Sequence, residues 1–168
     1  MGYIFLGFFI YDMTDFKSQE DNNYRIESQI EYELDKNYGY YPKKDSTLEE
    51  RIYFKNNLIK IINYNINKFG HREINNNNPT EKCIIFHGGS FTFGQTLNNS
   101  ETLPYYTKTI LMDNFNIYNY AFNGYGAHQF LSKIENNYLD ELIYCKEAII
   151  VYQFIPDHIA TSAGKRSW

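Results

Sequence analysis

Ser90 is the residue of this chain best placed to act as a nucleophile. It follows Gly88 and Gly89, which close a short apolar run, Cys83-Ile84-Ile85-Phe86. A run so rich in β-branched and aromatic residues reads as a strand buried on both faces, as in a parallel sheet. Two glycines then permit a sharp turn beside other backbone. A hydroxyl held there stands above the carboxyl edge of the sheet, where open α/β sheets bind their ligands. The same residues also suit an ordinary turn. Gly89, Gly94, Gln95 and Thr96 approach the phosphate-binding pattern G-x-x-x-x-G-K-[ST]. Gln95 stands where that pattern needs lysine, and Phe91 and Phe93 crowd the loop, so nucleotide binding ranks last among the readings.

The remaining chemistry-bearing residues form no obvious cluster. His71, His87, His128 and His158 lack ligand spacing, so no metal or cofactor is expected. Cys83 and Cys145 give neither a disulfide framework nor a metal site, and Cys83 reads as a small buried hydrophobe. A net charge of -4 and a pI near 5.6 offer no basic stripe for nucleic acid. Hydrophobic residues make up 43% of the 168, enough to fill the core of one domain, or of one domain with an extension.

These residues need elements to position them. Tyr3 to Ile10 is apolar but shorter than the roughly 20 residues of a membrane span, and no basic residues precede it as in a signal peptide. It reads as the stub of a longer membrane segment slightly better than as a core strand. Membrane attachment through upstream residues and a cytoplasmic location both stay open. Arg25 to Leu34 alternates as a strand, Gly39 to Asp45 reads as a turn, and Arg51–Phe54 with Leu58–Ile66 reads as a β-hairpin around Asn56-Asn57. Asn75 to Pro79 reads as a linker.

From about Glu81 the pattern changes. After the serine loop, Leu103, Tyr106, Ile110 and Leu111 recur at helical spacing behind capping residues Asn98 to Thr102. Phe115 to Phe122 reads as a second strand, closed by a tight turn at Asn123-Gly124-Tyr125-Gly126. A helix through Phe130, Leu131 and Ile134 leads to a third strand, Ala148 to Phe154. The order β-α-β-α-β implies a parallel sheet with right-handed crossovers.

The two turns together carry a resemblance. HGGSFTFG around Ser90, followed about 30 residues later by NYAFNGYGAHQ, resembles the SGNH (GDSL-type) hydrolase superfamily over about Glu81 to His158. The resemblance implies a flavodoxin-like three-layer α/β fold with a parallel sheet, here the first half of such a domain over 81–168. A β-rich N-terminal extension over 1–80 precedes it. The resemblance makes Ser90 the nucleophile and gives Ser90 and Gly124 as oxyanion-hole donors, with Gly89 where the family usually has aspartate. Asn123, His128, Asp157 and His158 are expected to wall the site. The family's Asp-x-x-His does not occur after Ser90, and Asp157 and His158 are adjacent, so their side chains are expected to diverge.

The function implied is ester hydrolysis through an acyl-Ser90 intermediate, on a small-molecule or carbohydrate acyl ester. An acyltransferase of the same fold is the first alternative, and an inactive ester- or carbohydrate-binding module the second. With no histidine in the family's base position, the chain by itself is expected to show little turnover and some tendency to aggregate.

Overall fold

The computed structural model describes residues 23–37, 39–77, 80–136, 138, 142, 144–156 and 158–159. The apolar stretch Tyr3 to Ile10, Pro79 and Asp157 lie outside them. The order of the elements is β1 (Tyr24–Gln29), β2 (Tyr32–Asp35), β3 (Gly39–Pro42), β4 (Ser46–Phe54), β5 (Asn57–Ile66), β6 (Lys82–His87), α1 (Ser90–Phe93), α2 (Leu103–Leu111), β7 (Asn116–Asn119), α3 (Ala127–Glu135) and β8 (Glu147–Tyr152).

The architecture corrects the expected flavodoxin-like three-layer sheet. Among the described residues five strands are antiparallel, in a three-stranded sheet β1-β4-β5 and a two-stranded sheet β2-β3, and only the small sheet β7-β6-β8 is parallel. A three-layer fold also needs helices that bury an apolar stripe on each sheet face. Helix α1 has four residues. Helix α2 does have the expected helical spacing, but it leaves Leu103, Tyr106 and Ile110 more than half exposed and buries only Pro104. Helix α3 buries Gln129 and Lys133 and turns Leu131 and Ile134 outward.

The long hairpin β4–β5 dominates instead. Both Lys55 and Asn56 have positive φ, so the two-residue turn sits there, one residue earlier than the asparagine pair suggests. The segment Arg25 to Leu34 divides into β1, which pairs with β4, and β2, which pairs with β3. Gly39 to Pro42 is therefore a strand rather than part of a turn, because Tyr40 and Tyr41 find partners across Leu34 and Glu33.

Alternation along β5 puts Ile62, Tyr64 and Ile66 on the buried face and leaves Leu58, Ile59 and Ile61 about half exposed. The buried face joins Leu48, Phe93, Ala121, Phe122 and Tyr125 in the larger core cluster. Strand β6 buries every residue after Lys82, as its apolar run requires. Single bridges from Arg72 to Ile66 and to Asn119 connect the antiparallel sheet to the parallel one.

A disulfide joins Cys83 of β6 to Cys145, just before β8. This corrects the reading of Cys83 as a buried thiol. The two cysteines are 62 residues apart, and only the pairing of β6 with β8 brings them together.

Candidate active site

Ser90 is the first residue of α1, directly after β6 and the two glycines. It is half-buried, while Phe91 beside it is exposed and Thr92 and Phe93 are buried. Three groups hold this turn from behind. Asn119, at the end of β7, donates through Nδ2 to the carbonyls of Thr92 and Phe93. Arg72 donates to the carbonyls of Phe93, Gly94 and Leu97, each at 2.8 Å, and to Asn99 Oδ1 at 2.8 Å. Its guanidinium also lies over the Tyr64 and Phe93 rings. Burial lowers the Arg72 pKa from 12.5 to about 10, so the side chain is still a cation at neutral pH.

Glu50 supports the next residues of the loop. Its carboxylate, fully buried, accepts from Gln95 Nε2, the Thr96 amide, the Ser28 hydroxyl and the Tyr64 hydroxyl. Thr96 has a φ of 65°, a conformation rare for a β-branched residue. The hydrogen bonds to Glu50 and to Tyr64 offset that cost. Arg72 and Glu50 both belong to the segment ahead of β6, so the antiparallel sheet is the scaffold of the serine loop.

The second turn lies against the first. The chain after β7 continues beside the β6 exit, with the Tyr120 amide donating to the Phe86 carbonyl and the Phe122 amide to the Gly88 carbonyl. Gly124 follows with a φ of 77°, which a residue with a Cβ adopts only with strain. The Tyr40 hydroxyl donates to the Asn123 carbonyl, and the Tyr125 hydroxyl donates to the Tyr40 carbonyl, pinning the turn from both ends. Neither the Ser90 nor the Gly124 amide donates to a described residue. Asn123 is half-buried, and its Oδ1 has no partner among the described residues.

His158 comes to the same place. A Cβ built on Gly89 would stand 3.0 Å from His158 Nε2 and 3.3 Å from the Tyr125 carbonyl. The imidazole therefore covers the residue next to Ser90, in space that only a glycine leaves open. His158 is 6% exposed, and its Nδ1 lies 2.8 Å from the Tyr152 hydroxyl. Burial raises the Tyr152 pKa to about 12, so that hydroxyl is a neutral phenol. Thr92 on α1 donates to Gln153 Oε1 at 2.8 Å, and the Gln153 amide donates to the His87 carbonyl, which ties the end of β8 to the serine turn.

The other histidines differ. His128 is exposed at the start of α3, and partial desolvation lowers its pKa. His87 is fully buried against Phe130, and neither ring nitrogen has a partner among the described residues. Burial first, and then the nearby Lys133, hold it well below the ordinary histidine range, so it is a neutral ring. No group of metal-ligating side chains occurs among the described residues.

Sequence reasoning missed the scaffold residues Glu50 and Arg72 and the partner of His158, Tyr152. Spacing carried no signal for them, since Tyr152 reads as a strand residue and Arg72 lies 18 positions before Ser90 in a polar stretch. Comparison with known proteins found no matching family model, no matching curated protein and no matching solved structure.

Proposed function

We propose that the chain is a serine-dependent ester hydrolase, with Ser90 as nucleophile and His158 as its base. The observation that carries this reading is the His158 imidazole, with Nε2 3.0 Å from the Cβ position of Gly89, beside the serine. A serine hydroxyl is a weak nucleophile until a positioned base takes its proton. The Asp157–His158 adjacency therefore does not disqualify this histidine.

The steps follow from that placement. In the tautomer this role requires, Nδ1–H of His158 donates to the Tyr152 oxygen 2.8 Å away and Nε2 is free to accept a proton. Nε2 takes the Ser90 proton as Oγ attacks the ester carbonyl. The amides of Ser90 and Gly124 donate to the oxyanion, where one such donor is typically worth about 10²–10³ in rate. Collapse of the tetrahedral intermediate breaks the ester bond, and the departing alkoxide takes the proton from Nε2. Water, deprotonated by the same nitrogen, then attacks acyl-Ser90; the acyl–Oγ bond breaks, Nε2 returns the proton to Ser90 Oγ, and the acid leaves. Tyr152 orients His158 without offering a negative charge, so the imidazolium is less stabilised than beside a carboxylate.

The test is labelling with a fluorophosphonate probe together with turnover of short-chain esters. Wild type should label at Ser90, Ser90→Ala should not label, and either Ser90→Ala or His158→Ala should lower kcat about 10⁴-fold or more. Equal turnover by Ser90→Ala and wild type refutes the assignment.

A further inference from the structure

The surroundings of His158 indicate what the site accepts. Phe154 is 53% exposed, with its ring edge-on to the His158 imidazole at a centroid distance of 6.1 Å. Ile159, on the other side of His158 in sequence, is 64% exposed, and Phe91 beside Ser90 is also 64% exposed. Single exposed apolar side chains are ordinary on a protein surface. Here Phe154 lies against the imidazole assigned as the base, and the other two are the sequence neighbours of that base and of the nucleophile.

The chemistry assigns a side to them. A base that hands its proton to the departing oxygen stands on the leaving-group side of the scissile bond. Side chains flanking His158 therefore meet the alcohol portion of an ester, and the acyl portion extends from Ser90 in another direction. Resting on the hydrolase reading above, we propose that the site takes esters of alcohols carrying an extended apolar or aromatic group, with Phe154 as the surface that contacts it. A small polar alcohol would leave the exposed Phe154 face in water. An alkyl chain or ring laid against it removes apolar surface from water on both sides, and a fully buried methylene is worth about fourfold in affinity.

Two substrate series separate the alcohol side from the acyl side. One holds the acyl group constant (methyl, butyl, hexyl and benzyl acetate), and the other holds the alcohol constant (methyl acetate, butyrate and hexanoate). Acid release is followed at constant pH. The expected result is a rise of about tenfold in kcat/KM from methyl to hexyl acetate, and less than twofold along the methyl ester series. In Phe154→Ala the hexyl-to-methyl ratio should fall to about two, whereas Phe154→Leu should keep most of it. Because the readout is a ratio within one protein sample, partial unfolding of a variant does not imitate it. A rise along the acyl series instead, or an unchanged ratio in Phe154→Ala, overturns the assignment of the alcohol side. Absence of both turnover and Ser90 labelling would remove the hydrolase reading itself, and this inference with it.

Discussion

Replacing both Cys83 and Cys145 with alanine should cost about as much as the most damaging single core substitutions in this protein. The bridge spans 62 residues of sequence, including α1, α2, β7 and α3. In the chain-entropy treatment, freeing a loop of that length returns about 4 kcal/mol to the unfolded state at 25 °C. That is a large share of the ~5–15 kcal/mol that holds a typical domain. Little else compensates locally, because β8 is exposed at each of its first four residues and, among the described residues, pairs on one side only, with β6. For a chain of this size each kcal/mol is worth about 2–4 °C, so the melting temperature should fall by roughly 10–15 °C. The assay is thermal melting by circular dichroism of wild type, the double alanine variant, and wild type with excess dithiothreitol. Tyr152 and His158 depend on β8, so fluorophosphonate labelling of Ser90 should decline before the global melt. A melting temperature within 2 °C of wild type, or two titratable thiols in the native protein, would refute the reasoning.

The other predictions concern the buried polar residues. His71 and His87 both have pKa values held well below the ordinary 6.5, first by burial and then by Lys133. The unfolded chain therefore takes up protons below pH 6.5 that the folded chain refuses. Stability is fully present above that pH and falls as pH drops toward the folded values, by up to about 1.4 kcal/mol per unit for each histidine. Urea melts at pH 7.5 and 5.5 should show it, and equal midpoints would contradict it. Arg72→Leu removes a fully buried donor from the carbonyls of Phe93, Gly94 and Leu97 and should destabilise by about 3–5 kcal/mol, read from denaturant midpoints; a loss under 1 kcal/mol would mean that these carbonyls find other partners. Gly89→Ala has to displace the His158 ring by a few tenths of an ångström, since its Cβ would be 3.0 Å from Nε2. It should lower kcat about tenfold while moving the melting temperature by less than 3 °C, and unchanged kcat would argue against Nε2 as the base.

The sequence by itself determined the local elements around Ser90. The apolar run of β6, the two glycines after it, the helical spacing of α2 and the tight turn at Gly124 are each specified by neighbours within a few residues, through sterics and propensity. Those features were legible, and so was the β4–β5 hairpin, to within a residue of its turn. The overall architecture was not, because the same β-α-β order fits a three-layer sheet or a small parallel sheet set beside antiparallel strands. Which one forms depends on whether the helices bury their apolar stripes, and α2 and α3 leave theirs in solvent. Burial is a property of the assembled chain. For the same reason the disulfide, the Arg72 and Glu50 supports and the meeting of His158 with Gly89 were decided only in three dimensions. Each joins residues 21 to 69 positions apart in sequence. No periodicity or spacing rule reaches that far, since contacts of such separation are fixed by how sheets pair and pack rather than by local conformational preference.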